Sequence, residues 1–127
     1  MKRLRKKIKK YRQGLDGEKI VGQYLDKLQK TGCDVFHDIV FDGFNIDHVV
    51  VSNFGIFCIE TKTYSKPIKG ESKLFYDGVS VEVNGYKASA PVIQVKAASK
   101  TLQELLEQST GKLFMVKHVL LFPGWFV

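Results

Sequence analysis

The sequence predicts an α/β fold: a mixed central sheet of about four strands, helices on both faces, and one extra β-hairpin. Three observations carry this. Two apolar runs, residues 46–52 and 55–62, flank the pair Asn53-Phe54 and read as a hairpin buried on both faces. Apolar residues at helical spacing lie before and after that hairpin. A last apolar run, Leu113 to Phe122, comes after the second helix, and a crossover through a helix makes it parallel to a neighbour.

The 127 residues, 44% hydrophobic, suffice for one domain with one core. No run of about 18 apolar residues exists to span a membrane, and no signal-peptide pattern opens the chain, so the cytoplasm is the expected compartment. Cys33 and Cys58 lack metal-ligand spacing, and Cys58 falls in a buried strand as a small hydrophobe. Charge is uneven. Eight of the 20 basic residues (Lys2, Arg3, Arg5, Lys6, Lys7, Lys9, Lys10 and Arg12) precede residue 13 without an acid among them. The rest carries 12 basic against 13 acidic residues, a net of −1, so the +7 belongs to an arm over residues 1–13 and not to the domain over 14–127.

In order, the arm repeats Leu4, Ile8, Tyr11 and Leu15 at helical spacing, which makes it a short amphipathic basic helix or a solubilising tail. As a helix it suits a nucleic-acid backbone or an anionic membrane surface. Asp16 is the expected N-cap of a first helix running to about Lys30 and stopped by Gly32, with Ile20, Val21, Tyr24, Leu25 and Leu28 on its apolar face. Glu18 would then lie in the first turn, where the helix dipole favours an acid. Residues 34–41 form a strand ending at the hairpin turn Asp42-Gly43. A two-residue loop there sets Asp38 opposite Asp47, although a slip of one residue would send Asp38 to the other face. A second hairpin over residues 70–85 turns at Asp77-Gly78 and could bring Lys73, Phe75 and Tyr76 to a substrate, or simply cap an edge. Pro91 opens a second helix that lasts to about Ser109 and stops at Gly111, burying Val92, Val95, Ser99, Leu102 and Leu106. Trp125-Phe126-Val127 begins an element that the chain does not finish, as expected of a fragment or of part of a longer protein.

The central hairpin carries the chemistry. With Asn53-Phe54 as a two-residue loop, Ser52 faces Gly55, Val49 faces Cys58, and Asp47 faces Glu60. Facing carboxylates sit roughly 5 Å apart at Cβ and destabilise each other unless a cation lies between them. Lys62 points to the same face, about 7 Å further along the strand. The three can form a metal–phosphate site, or a solvated strand end with a Lys62–Asp47 ion pair. His48 points away from Asp47 and reads as a histidine of the core or one that supports the site from behind. His37 and His118 show no ligand spacing with it, which makes a zinc site unexpected.

Asp47, then Glu60-Thr61-Lys62, resembles the core of the PD-(D/E)xK nuclease superfamily. More narrowly, Gly17-Glu18, Asn45-Ile46-Asp47-His48-Val49-Val50-Val51, Gly55-Ile56-Phe57 and Ile59-Glu60-Thr61-Lys62 together resemble the nuclease-related domain, NERD. Ile46 stands where the superfamily's name has proline, a small departure, since proline is unwelcome inside a central strand. The resemblance implies a restriction-endonuclease-like core and metal-dependent hydrolysis of nucleic acid, DNA favoured. It implies Asp47, Glu60, the Thr61 backbone carbonyl and Glu18 around Mg²⁺ or Mn²⁺, with Lys62 orienting water and Gln94 positioning substrate. The same fold could instead serve as a nucleic-acid-binding module with little catalysis. A membrane-surface scaffold held by the arm is a third reading.

Overall fold

The computed structural model describes residues 2–63, 74–83 and 86–123. Helix α1 (Lys2–Asp26) leads into a short 3-10 helix (Lys27–Thr31) that ends at Gly32 in the left-handed conformation. Next are strands β1 (Asp34–Phe41), β2 (Phe44–Ser52) and β3 (Gly55–Thr61). Then come β4 (Leu74–Tyr76), β5 (Val81–Val83), β6 (Tyr86–Ala88), α2 (Ala90–Thr110) and β7 (Val116–Leu121).

The main sheet has the order β1-β2-β3-β7 and is mixed. Two short turns set its antiparallel part: Asp42-Gly43 pairs Phe41 with Phe44, and Asn53-Phe54 pairs Ser52 with Gly55. Strand β7 returns parallel to β3 after α2, as a crossover through a helix requires. Each face has its own helix. Val21 and Leu25 of α1 pack on Val35, Val50 and Ile59. Ala98 and Leu102 of α2 pack on Ile46, Val49, Ile56 and Cys58. Alternating residues of β2 and β3 thus go to opposite faces, which explains why both strands read as apolar throughout.

Alternation breaks at one point. Ile46 and Val49 share a core cluster although they lie three residues apart, and the β1–β2 ladder skips the Asp38–Asp47 pair. Asp38 has φ of 49°, the one positive value among the described non-glycine residues. Asp47 therefore sits at a kink in the pleat, the kind of irregularity by which strands re-aim a side chain.

Two local expectations need correcting. Asp16 does not cap a helix: α1 runs unbroken through it from Lys2. The second hairpin closes through four residues and not two, pairing Tyr76 with Val81. The Asp77 carboxylate accepts hydrogen bonds from the Val79 and Ser80 backbone N–H groups at 2.8 and 2.7 Å, which holds the longer turn. A third strand, β6, joins it in a small separate sheet. Lys73 and Trp125-Phe126-Val127 lie outside the described residues.

Candidate functional site

The open end of the β2–β3 hairpin meets α1 and the start of α2 at a cleft of about 420 Å³. Glu18, Asp47, Glu60, Lys62 and Gln94 all line it, brought from α1, β2, the end of β3 and α2. The β2–β3 ladder ends at His48–Ile59, and the same count carries Asp47 to Glu60. There the Asp47 Oδ2 accepts the Thr61 backbone N–H at 2.9 Å. Lys62 extends the parallel ladder by one bond, its N–H donating to the Leu121 carbonyl at 2.9 Å while its side chain is exposed. The parallel neighbour thus fixes the backbone beneath an exposed ammonium group.

Burial and crowding of like charges govern the electrostatics. Glu60 is half-buried, and desolvation, reinforced by Asp47 and then Glu18, pushes its pKa up to about 8. Desolvation also raises Glu18, helped by the charges of Asp47 and Asp38. Glu18 lies well inside α1, so compensation of the helix dipole does not account for it. A second cavity, about 770 Å³, opens on the other side of Glu18 and Asp47 and includes Asp38, Asp26, His37 and His48.

Glycines let α1 come this close. A Cβ on Gly17 would overlap the Thr63 methyl group, and one on Gly22 would lie 3.3 Å from the His48 ring. These glycines serve contact and leave the helix unbroken.

The oxygen-rich donor set fits a hard divalent cation. Two half-buried carboxyl groups face each other, burial first and Asp47 second push Glu60 up to about 8, and Thr61 Oγ1 is buried without a partner among the described residues. No group of three or more His, Cys, Asp or Glu among the described residues is arranged to hold a metal ion. Asp47 and Glu60 are the pair available, and Glu18 stands further off.

Sequence reasoning missed a polar chain behind the site. The turn at Asp42-Gly43 pairs His37 with His48 across β1 and β2. Their Nδ1 atoms lie 2.8 Å apart, and His37 Nε2 is 2.6 Å from Asp26 Oδ1. His48 is 2% exposed, its Nε2 has no partner among the described residues, and burial lowers its pKa, with the nearby His37 adding to the shift. The register count that placed Asp38 opposite Asp47 contained this pair as well, one step along. His118 is exposed on β7, apart from both.

Among the described residues no helix is long and apolar enough to cross a membrane. The chain is 35% identical over 75 residues to an uncharacterized protein of Bacillus anthracis, a match covering 55% of this chain and 35% of that relative's length. The chain thus spans about a third of the relative it matches. No solved structure matches it. The family pattern of the nuclease-related domain matches residues 13–123, nearly the whole chain beyond the basic arm, a span that includes Glu18, Asp47, Glu60, Lys62 and Gln94. On that match the chain belongs to the nuclease-related domain (NERD) family, a membership that points to nucleic acid as the partner class.

Proposed function

We propose that the protein is a metal-dependent nuclease that hydrolyses phosphodiester bonds, DNA favoured, at the cleft between α1 and the β2–β3 hairpin. One observation carries the reading: two facing carboxyl groups, of which burial first and Asp47 second push Glu60 up to about 8, share a cleft with Lys62. Acids forced together beside a cation-bearing side chain cost stability and are characteristic of functional sites.

Asp47 and Glu60 would hold Mg²⁺ or Mn²⁺, with the Thr61 carbonyl as a further oxygen donor and Glu18 reaching it through water. Such a cation supplies Lewis-acid neutralisation of the phosphate oxygens and activates water at neutral pH. The Thr61 N–H fixes one oxygen of Asp47, which leaves the other directed by the backbone and not by a free rotor. Lys62 orients the attacking water and offsets the negative charge that develops on the phosphate. Gln94, exposed near the start of α2, positions the substrate.

The test is a cleavage assay on single- and double-stranded DNA and RNA with Mg²⁺, with Mn²⁺ and with chelator. Cleavage with either ion and none with chelator is expected. Folded protein that cuts none of these substrates rejects the reading for this chain. A second reading, a binding module of the same fold, draws on the net −1 of the residues after the arm and on the lack of a third acid at metal-holding distance among the described residues. Binding without cleavage would favour it.

A further inference from the structure

The arm and one wall of the cleft belong to the same helix. α1 continues unbroken from Lys2 to Asp26, so the arm runs directly into the part of the helix that lines the site. Lys10, Tyr11, Gly14 and Leu15 line the same cleft as Asp47, Glu60 and Lys62. Helical periodicity puts Arg3 and Lys7 on the face that carries Gly14 and Glu18, whereas Arg5, Lys9 and Arg12 fall on the opposite face. Arg3, Lys7 and Lys10 therefore form a basic track about 10 Å long that leads into the cleft. Beside it stands Tyr11, 72% exposed and lining the same cleft.

We propose that the N-terminal half of α1 guides an unpaired nucleic-acid strand into the cleft, Arg3, Lys7 and Lys10 holding successive phosphates and Tyr11 stacking on a base. The inference deepens the nuclease reading and rests on nucleic acid being its partner. The aromatic ring selects an unpaired strand. A base inside a duplex has neighbours on both faces, so an exposed tyrosine can stack only on an unpaired or extruded one. A membrane surface fits less well. Burying the stripe of Leu4, Ile8, Tyr11 and Leu15 in lipid would carry the carboxylate-lined cleft into the headgroup layer.

The experiment compares two triple variants that lose the same charge. R3Q/K7Q/K10Q empties the track, and R5Q/K9Q/R12Q empties the back of the same helix. Residues 2–12 are all exposed and glutamine is a good helix former, so both should fold. Binding of a single-stranded oligodeoxynucleotide is measured in chelator across a salt series. The track variant should bind at least tenfold more weakly with a flatter salt slope, and the back variant within threefold of the parent. Tyr11→Ala should weaken single-strand binding at least about fivefold, duplex binding of the same sequence less than twofold, and Tyr11→Trp should restore it. Equal losses from the two triple variants, or a Tyr11→Ala effect that is absent or equal on duplex, overturn the proposal. So does arm-dependent binding to vesicles of anionic lipid that outcompetes the oligonucleotide. Cleavage with Mg²⁺, run in parallel, separates the readings: track-dependent binding without cleavage rejects the nuclease and keeps the guide, and the reverse rejects the guide alone.

Discussion

At its closed end the β2–β3 hairpin satisfies its local demands. Ser52 Oγ accepts the Phe54 N–H at 3.1 Å and donates to the Gly55 carbonyl at 3.2 Å, and Val49, Ile56 and Cys58 pack beneath α2. At its open end the same two strands set Asp47 against Glu60, half-bury the pair and leave Glu60 protonated to about pH 8. One end is arranged for stability and the other against it. Natural proteins keep such conflicts chiefly where function needs them.

The open end is where this contrast is most exposed to test. Glu60→Ala or Lys62→Ala should lower the cleavage rate by at least about 100-fold, the scale of losing one charge-stabilising group, with DNA binding in chelator within a few-fold of the parent. Comparable losses in both measurements would make these residues binding groups. At the closed end, Ile56→Ala should cost about 2 kcal/mol or more in urea unfolding and leave cleavage per folded molecule unchanged.

The next prediction concerns pH. A carboxyl group whose pKa is higher folded than unfolded binds more protons in the folded state, so its contribution falls as pH rises between the two values. For Glu60 that window runs from its ordinary 4.5 to about 8, and Glu18 shifts in the same direction. His48 works in the opposite sense, with a lowered pKa that costs stability as pH falls below 6.5. Between pH 6.5 and 8 Glu60 dominates. In chelator the melting temperature should fall across this window, and Glu60→Gln should flatten the slope and melt higher at pH 8. A parent protein with no slope there would show that the facing acids are not in conflict.

Smaller effects are expected at two further positions. Gly17→Ala, favourable for an isolated helix, should destabilise by about 1–3 kcal/mol because it forces α1 off Thr63. Phe54→Ser, at a position 87% exposed in the closing turn, should change stability by less than about 0.5 kcal/mol. Urea unfolding of both variants measures the two changes side by side.

Much of this was legible because short turns and caps are local. Asp42-Gly43 and Asn53-Phe54 fixed the registers by counting, and Pro91 and Gly111 bracketed α2, whose Gly111 N–H caps the Glu107 carbonyl at 2.8 Å. The continuity of α1 was not legible. Gly14, Asp16 and Gly17 look like a boundary, and only the approach of Thr63, 46 residues further along the chain than Gly17, gives a helical glycine its reason. The four-residue turn at Asp77 was misread because Asp-Gly also signals a tighter loop, and the choice here goes with side-chain bonds to Val79 and Ser80. The break in alternation between Ile46 and Val49, across from Asp38 with its positive φ, is not encoded in the residue pattern.

Behind the site, His37 and His48 lie too close for their protons to be independent. Two imidazole nitrogens 2.8 Å apart can share only one hydrogen, so one ring must give and the other receive. When His37 directs its Nε2 hydrogen to Asp26 and is neutral, His48 must be the giver, and its buried Nε2 is left bare. When His37 takes up a second proton the direction reverses, and the hydrogen of a neutral His48 must move to Nε2. The tautomer of a ring sealed in the interior is thus written by an event at the surface, and ¹⁵N chemical shifts of the two rings should change together, as one coupled unit.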